Sequence, residues 1–166
     1  MKTLLILRHA KSSWSEPGVS DHDRPLNSRG KRDAPRIGQL IKDEGLVPDR
    51  ILTSTAKRAR KTAAKVANSC GFAAEVEKVS QLYLANPDTY ANVLSEMDGD
   101  AERVLVVGHN PGLEDLVELL TEEAEVMPTA ALAQVEVDIW RWSEFKVDAP
   151  AKLVHLWRPR EMGPID

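Results

Sequence analysis

Val104-Leu105-Val106-Val107-Gly108-His109-Asn110-Pro111 decides the fold class of this chain. The four apolar residues at its start predict a strand that is covered on both faces, as in a parallel sheet with helices above and below it. The asparagine and proline at its end predict the start of a helix, with asparagine as the N-cap and proline in the first helical position. Because buried strands that lead into helices build α/β folds, the stretch predicts an α/β protein.

Short apolar runs and helical patterns alternate along the rest of the chain as well. Strands are predicted at residues 4–7, 50–53, 104–107, 133–139 and 152–157. Helices are predicted around residues 34–45, 54–71, 86–97 and 110–120, with N-caps at Ser54, Asn86 and Asn110. In the first of these helices, Pro35 must lie in the first turns or kink the helix. We therefore expect a three-layer α/β/α sandwich with a mostly parallel central sheet.

The composition indicates one globular domain over residues 1–166. The chain has 22 Lys and Arg residues against 26 Asp and Glu residues, and 42% of its residues are hydrophobic. No internal repeat, low-complexity tract or flexible linker divides it. At this length folding removes about 70% of the surface that the unfolded chain exposes, so stability requires neither a disulfide nor a structural metal.

Charge and hydropathy argue against several classes of function. The net charge of −4 is not that of a nucleic-acid-binding protein. No stretch approaches the roughly twenty apolar residues that span a bilayer, and the apolar run near Met1 is too short for the core of a signal peptide. The lone cysteine, Cys70, has no internal partner and cannot build a zinc cluster with the four histidines. We expect a cytoplasmic protein without a bound metal.

Polar side chains follow three of the predicted strands at the point where each strand ends. Arg8 and His9 follow the first strand, Arg58 lies just beyond the second, and His109 follows the strand at 104–107. Ligands of open parallel sheets bind beyond the carboxyl ends of the strands. These two arginines and two histidines are therefore expected to meet in one site. Two of the strand ends lead into helix N-termini, whose free N–H groups favour an anion.

The residue types of this site favour a phosphate group. Arginine presents a planar, permanently charged fork that matches two phosphate oxygens, so Arg8 and Arg58 are expected to clamp the group from two sides. A neutral imidazole has one nitrogen free to attack phosphorus while a hydrogen bond to the other nitrogen fixes its tautomer and aim. The histidines therefore predict covalent catalysis of phosphoryl transfer.

Five segments of the sequence resemble a known family. Leu7-Arg8-His9-Ala10-Lys11 resembles the Arg-His-Gly motif of the histidine phosphatase superfamily, also called the phosphoglycerate mutase-like superfamily. Residues 53–63 are similar to its second-arginine motif, and residues 107–110 to its second-histidine motif. Residues 21–27 and 82–87 resemble the small SixA-type phosphohistidine phosphatase branch. The resemblance covers nearly the whole chain, in the right order.

The resemblance implies a phosphoglycerate mutase-like sandwich and a two-step phosphoryl transfer with His9 as the nucleophile. Arg8, Arg58 and His109 would form the phosphate pocket, without a cofactor or a metal, and the pocket would also accept free phosphate or sulfate. The further residues considered for substrate binding are Lys11, Ser12, Arg24 and Asn110. An ordinary role on a surface loop is the alternative for Lys11 and Ser12, and capping of a loop is the alternative for Arg24. Asn110 is also the predicted N-cap. The substrate would be a phosphohistidine-bearing protein or a phosphate ester.

The chain departs from the family pattern in three ways. Ala10 replaces the usual glycine, and the stretches between strands are too short for a substantial lid, which favours a phosphorylated protein over a small sugar phosphate. The familiar general acids are missing, since Tyr83 and Asn110 stand where many members have Glu or Asp. An imidazole can leave already protonated whereas an alkoxide needs a proton, so the site suits P–N bonds. Alternative proton donors are Asp21, His22 and Asp23.

Other functions remain open at this point. They are a broad-specificity or small-molecule phosphomonoesterase, a non-catalytic phosphate-binding module, and a metallohydrolase that uses His9, His109 and nearby aspartates. A mutase is disfavoured, because a mutase must shield its phosphoenzyme from water and the chain has no evident lid.

The remaining aromatic residues and the C-terminal segment receive structural interpretations. Trp140, Trp142 and Trp157 are expected in the core or at a sheet edge, and Trp14 at the rim of the pocket. Residues 158–164 match no pattern and are expected to form a mobile tail.

Overall fold

One mixed sheet runs through the part of the chain that the computed structural model describes, residues 1–163. Its strands are β1 (Lys2–Arg8), β2 (Arg50–Thr53), β3 (Glu77–Lys78), β4 (Arg103–Gly108), β5 (Leu132–Val137) and β6 (Ala151–Trp157). They pair in the order β3-β2-β4-β1-β5-β6. The first four are mutually parallel, and β5 and β6 join antiparallel at one edge. Strand β3 was not predicted, because a strand of two residues has no periodicity.

Four α-helices cover the two faces of the sheet: α1 (Ser28–Asp43), α2 (Lys57–Cys70), α3 (Pro87–Ser95) and α4 (Gly112–Thr121). Leu5 and Leu7 of β1 pack with α1 and α2, whereas Leu4 and Ile6 pack with α3 and α4. All four side chains are fully buried, which explains why this strand is an uninterrupted apolar run. The predicted α/β/α sandwich is confirmed.

The structure corrects two of the predicted N-caps and confirms one. The Asn86 side chain accepts a hydrogen bond from the Thr89 N–H at 2.9 Å and caps α3 as predicted. Ser54 and Asn110, in contrast, do not cap helices: α2 follows Ala56, and α4 follows Pro111. Both predictions were wrong because these two side chains are bonded elsewhere in the site described below.

Helix α1 begins earlier than its apolar pattern indicates. Asn27 is the N-cap, and its side chain accepts from the Gly30 N–H at 2.9 Å. Pro35 consequently lies inside the helix, so of the two predicted alternatives the place in the first turns was wrong. Gly30 lies against the backbone of Lys11 so closely that a Cβ would collide with the Lys11 carbonyl. This close approach places the start of α1 beside the loop that follows β1.

The tryptophans divide between core and surface. Trp142 is buried and donates a hydrogen bond to the Ala101 carbonyl at 2.7 Å, and Trp157 stacks on His155 in the edge strand β6, as predicted. Trp140 is 82% exposed, so its predicted packing was wrong. The reason is that β5 ends at Val137, and the chain has left the sheet before it reaches Trp140.

The C-terminal segment packs against α1 as far as Gly163. A 3-10 helix covers Pro159–Glu161, and Pro159 is buried. The Arg36 guanidinium of α1 donates to the carbonyls of Pro159 at 3.4 Å and Gly163 at 2.7 Å. The prediction of a mobile tail was wrong for residues 158–163, and Pro164 lies outside the described residues. None of the helices within residues 1–163 is long and apolar enough to cross a membrane.

Candidate active site

The ends of β1, β2 and β4 lie side by side at one edge of the sheet. His9 follows β1, and its N–H donates to the Gly108 carbonyl at the end of β4 at 3.0 Å. Ser54 follows β2, and its N–H donates to the Val107 carbonyl at 3.0 Å. The rings of His9 and His109 consequently approach each other, with centroids 5.2 Å apart.

A small pocket of about 210 Å³ opens where these strand ends meet. It is lined by Arg8, His9, Lys11, Ser12, Trp14, Arg24, Arg58, Leu84, His109, Asn110 and Thr129. The structure thus brings the eight residues predicted for catalysis and substrate binding to one place, whereas none of the three alternative proton donors is among the lining residues. The lining contains four cationic side chains and, within residues 1–163, no carboxylate. Its electrostatic character is that of an anion site.

The His9 ring has a defined tautomer. Its Nδ1 lies 2.8 Å from the Ala10 carbonyl, which can only accept, so Nδ1 carries the proton and Nε2 carries the lone pair. Burial lowers the pKa of His9 to about 4, and the charges of Arg58 and Arg8 act in the same direction. His9 is therefore neutral at pH 7, with a nucleophilic nitrogen.

Thr62 of α2 fixes the backbone next to this histidine. Its hydroxyl accepts from the Ala10 N–H at 3.0 Å and donates to the Arg58 carbonyl at 2.7 Å. The Ala10 methyl group is buried in the core between the sheet and α1 and α2, so the departure from glycine is accommodated there. This role of Thr62 was not predicted, since a single threonine among the alanines of a helix face does not differ from an ordinary core residue.

His109 is oriented through Ser54. Its Nε2 lies 2.7 Å from the Ser54 hydroxyl, which also accepts from the Ala56 N–H at 3.2 Å. Because Ser54 is fully buried, its hydroxyl proton needs an acceptor, and Nε2 of His109 lies within hydrogen-bond distance. We therefore assign Ser54 as the donor and Nε2 as the acceptor. The proton of neutral His109 then lies on Nδ1, which is buried without a hydrogen-bond partner within residues 1–163. Burial, and next the neighbouring His9, lowers the pKa of His109 to about 3.

Three arginines present hydrogen-bond donors that the protein leaves unpaired. Arg8 donates from Nη1 to the Met127 carbonyl at 3.2 Å, while its Nε has no partner within residues 1–163. Arg24 Nη1 and Arg58 Nε are likewise buried without a partner in this part of the chain. Burial lowers the pKa values of Arg8 and Arg24, because desolvation disfavours a charge. Buried unpaired guanidinium groups are strong sites for an oxyanion.

Asp21 lies over this arginine cluster. Its Oδ2 accepts from Arg58 Nη2 at 3.1 Å and from the hydroxyl of Tyr83, and its Oδ1 lies 3.3 Å from Arg24 Nε. The Tyr83 hydroxyl first, and then Arg58, holds the pKa of the Asp21 carboxyl below its usual range. Asp21 is therefore ionised at neutral pH. Tyr83 thus anchors the loop over the site, a contact that the sequence analysis missed because the two residues are 62 positions apart.

The other two candidate proton donors lie away from the pocket. His22 Nε2 is 3.0 Å from the Thr55 hydroxyl, and Asp23 accepts from the Ser20 hydroxyl at 3.1 Å. Neither residue lines the pocket.

The remaining lining residues frame the pocket. Trp14 is 75% exposed at the rim, and the Arg24 guanidinium carbon lies 3.4 Å from the centre of its ring. Asn110 donates to the Met127 carbonyl at 2.8 Å, while its Oδ1 is buried without a partner in residues 1–163. Ser12 is buried and pairs with Leu26 in an isolated bridge, and Lys11 is half-buried. Within residues 1–163, no three His, Cys, Asp or Glu side chains are grouped to bind a metal ion.

Comparisons with known proteins place this site in a family. Residues 4–83 match the model of the histidine phosphatase superfamily (branch 1). An uncharacterised protein of Mycobacterium tuberculosis is 34% identical over 165 residues, which cover 93% of this chain and 100% of that protein. The chain belongs to the histidine phosphatase superfamily. Its SixA-type character is shown by solved structures.

Two of these structures are proposed SixA phosphohistidine phosphatases. The protein from Agrobacterium tumefaciens superposes with a TM-score of 0.81 at 28% identity, covering 95% of this chain and 98% of that one. The protein from Nakamurella multipartita superposes with a TM-score of 0.83 at 28% identity, and the match covers 95% of this chain and 96% of that one. The phosphoglycerate mutase-like fold is thereby confirmed. The family and these structures support phosphatase activity for this chain.

Proposed function

We propose that this histidine phosphatase hydrolyses phosphohistidine in a phosphorylated protein, without a metal, through a phosphohistidine intermediate on His9. The phosphoryl oxygens bind the unpaired donors of Arg8, Arg24 and Arg58 and the Nδ1–H of His109. Lys11, Ser12 and Asn110 complete the wall around the group. Positioning and charge neutralisation are the main demands of phosphoryl transfer, and these side chains meet them.

In the first step, His9 Nε2 attacks phosphorus opposite the leaving nitrogen. A bond forms between His9 Nε2 and phosphorus, and the P–N bond of the substrate breaks. The substrate ring reacts in its protonated form, in which the nitrogen that is not bonded to phosphorus has taken a proton from solvent. The electron pair of the broken bond stays with the ring, which therefore leaves as neutral imidazole. The His9 Nδ1–H remains bonded to the Ala10 carbonyl and keeps Nε2 aimed at phosphorus.

In the second step, water attacks the phosphoryl group on His9. A P–O bond forms, the bond to His9 Nε2 breaks, and orthophosphate leaves with the protons of the water. Nε2 regains its lone pair, so the free enzyme is restored in its starting tautomer. Neutral histidine suits this role because imidazole is both a good nucleophile and a good leaving group near pH 7.

The observation that supports a P–N substrate is the state of Asp21, a carboxylate that contacts two arginines of the phosphoryl pocket. Asp21 is bound by Arg58 and Tyr83, and its pKa lies below the usual range. A carboxylate that is ionised at neutral pH is a poor proton donor. Hydrolysis of an alkyl phosphate needs such a donor, whereas an imidazole leaving group does not.

The size of the pocket supports a protein substrate. Its volume of about 210 Å³ is below the range of about 300–1,000 Å³ that is typical of sites enclosing a small organic molecule. The pocket therefore has room for the phosphoryl group, while the rest of the substrate lies outside. The exposed side chains of Trp14 and Leu84 at its rim leave the entrance accessible to a side chain on a protein surface.

A ratio of kcat/KM values tests the proposal. A phosphohistidine peptide is compared with a phosphoserine peptide and with an aryl phosphate, all in the presence of EDTA. A strong preference for the phosphohistidine peptide that disappears in His9→Ala is the expected result. The same variant should still bind orthophosphate, because the arginines remain.

The other outcomes favour other functions. Comparable rates on all three substrates would assign the chain as a general phosphomonoesterase. Orthophosphate binding without turnover would indicate a binding module. Loss of activity in EDTA that a divalent ion restores would indicate a metallohydrolase.

A further inference from the structure

A second, larger cavity adjoins the phosphoryl pocket. It has a volume of about 670 Å³ and lies between α1 and the C-terminal segment. Its lining combines five arginines with two carboxylates, Asp33 and Glu161. The arginines are Arg29, Arg32, Arg36, Arg158 and Arg160, and we call this cavity the arginine groove. Because the whole chain has a net charge of −4, this positive charge is a local concentration.

Three of the five arginines of the groove form ion pairs with carboxylates. Arg36 and Arg29 both pair with Asp33: Arg36 Nη1 lies 3.3 Å from one carboxylate oxygen, and Arg29 Nε lies 3.7 Å from the other. Arg158 pairs with Glu125 at 3.0 Å and with Glu161 at 3.4 Å.

Arg32 and Arg160 are exposed, and within residues 1–163 neither has an ion pair or a side-chain hydrogen bond. We therefore expect an anionic partner to contact these two guanidinium groups.

The groove and the phosphoryl pocket are neighbours that share one lining residue, Thr129. Arg29 Nη2 donates to the Thr129 hydroxyl at 3.2 Å. Arg32 follows Arg29 by one helical turn, which places its Cβ about 5–6 Å farther along the groove. An extended peptide advances about 3.3 Å per residue, so side chains two to four residues from the phosphorylated residue lie about 7–13 Å from it along the peptide.

The wall of the groove is already ordered without a ligand. Arg36 bonds the carbonyls of Pro159 and Gly163, which attaches the C-terminal segment to α1. Arg158 is bound to the Val126 carbonyl at 3.0 Å as well as to its two carboxylates. Binding in a preformed groove avoids the entropic cost of ordering its walls.

We propose that the arginine groove binds an acidic segment of the phosphorylated protein while its phosphohistidine occupies the neighbouring pocket. This inference rests on the proposed function. Carboxylate side chains match the two available guanidinium groups in charge and geometry. Nucleic acid fits less well, because single strands are usually bound on aromatic side chains and none lines this groove within residues 1–163.

Charge reversal in both the enzyme and the substrate tests this inference. The variant is Arg32→Glu/Arg160→Glu, and the control is Lys42→Glu, which changes another exposed cation about 15 Å farther along α1. The substrates are free phosphohistidine and two phosphohistidine peptides, one with glutamates and one with lysines two to four residues to either side. For each combination of enzyme and substrate, kcat/KM is measured at low and at high salt.

The wild type is expected to prefer the glutamate peptide over the lysine peptide by about tenfold at low salt and less at high salt. The double variant should reverse this preference and hydrolyse free phosphohistidine like the wild type. Lys42→Glu should retain the wild-type preference. Melting temperatures of the three proteins check that each one is folded.

Other outcomes overturn the inference. If the wild type hydrolyses both peptides equally, the groove does not bind acidic segments, although the proposed function stands. A double variant that loses activity on free phosphohistidine would place these arginines in the catalytic site instead. An oligonucleotide that inhibits the wild type, but not the double variant, more strongly than a glutamate peptide of equal charge would assign the groove to nucleic acid. Absence of turnover on every phosphohistidine substrate overturns both proposals.

Discussion

His109 Nε2 lies 2.7 Å from the Ser54 hydroxyl, and this contact determines which nitrogen of His109 carries the proton. Ser54 accepts from the Ala56 N–H and donates its own proton to Nε2, so Nδ1 holds the imidazole proton. Nδ1–H has no partner within residues 1–163, and in the proposed mechanism it donates to a phosphoryl oxygen, a bond that burial strengthens. Ser54 therefore positions His109 without touching the substrate.

Replacement of Ser54 by alanine should lower kcat by about tenfold, which corresponds to about 1.4 kcal/mol, because Nε2 loses its donor and the tautomer is no longer fixed. The KM for a phosphohistidine peptide should change less, since the arginines still bind the phosphoryl group. Nitrogen NMR of the imidazole ring should show a mixture of the two tautomers in the variant. An unchanged kcat together with a single tautomer would contradict this role.

The two active-site histidines should make the protein sensitive to mild acid. The pKa is about 4 for His9 and about 3 for His109, whereas the ordinary value is 6.5. As the pH falls from 6.5 toward these values, the two histidines bind protons in the unfolded chain but not in the folded protein. Stability is then fully present above pH 6.5 and is lost as the pH falls toward 4. Each histidine lowers the free energy of unfolding by up to about 1.4 kcal/mol per pH unit in this window.

Urea unfolding at pH 7, 6 and 5 measures this loss. In the His9→Gln/His109→Gln variant the free energy of unfolding should change less with pH, because the two groups no longer titrate. The same pH dependence in the wild type and the variant would show that other groups cause the loss of stability. Asp21, whose pKa is also lowered, contributes only below about pH 4, outside the measured range.

The alternation of buried runs and helical stripes made the layered fold predictable from the sequence. Residues 4–7 of β1 and 104–107 of β4 are all apolar, because helices cover both faces of the sheet there. Such a run of consecutive apolar residues can be recognised directly in the sequence. The convergence of Arg8, His9 and His109 followed from the same reasoning, since a parallel sheet aligns the ends of its strands.

Contacts between distant segments were beyond such reasoning. Ser54 and Asn110 have the residue types of helix caps, but their side chains bond His109 and the Met127 carbonyl instead. The C-terminal segment is ordered by Arg36, which lies 127 positions before Gly163. Local propensity reports which bonds a side chain can make with its neighbours, whereas tertiary packing decides which bonds it does make.

Thr62 joins the nucleophile loop to α2, and its hydroxyl should be needed for both stability and turnover. Thr62→Val keeps the shape but leaves the buried Ala10 N–H without an acceptor, which costs about 1–3 kcal/mol. The Ala10 carbonyl, which orients His9, is then less firmly placed, so kcat should fall as well. Thr62→Ser retains the hydroxyl and is the matched control. Thermal unfolding and kcat measured for both variants test the prediction, and equal behaviour of the two would contradict it.

Asp21 competes with the phosphoryl group for the same arginines. Its carboxylate binds Arg58 and lies 3.3 Å from Arg24, two side chains that also line the pocket. Asp21→Asn removes the negative charge and should tighten orthophosphate binding by about fivefold, a modest effect because Asp21 is partly exposed and solvent screens it. Product release should slow accordingly. Asp23→Asn makes the same charge change on an exposed neighbour that does not contact these arginines.

Calorimetric titration with orthophosphate distinguishes competition from support. Tighter binding to Asp21→Asn than to Asp23→Asn or the wild type would show that the carboxylate occupies the arginines until the substrate displaces it. Weaker binding would mean that Asp21 and Tyr83 mainly orient Arg58, and Tyr83→Phe should then weaken phosphate binding in the same way. Since Asp21 contacts Arg58 through both its carboxylate and its backbone carbonyl, the asparagine variant removes the charge while the backbone contact remains.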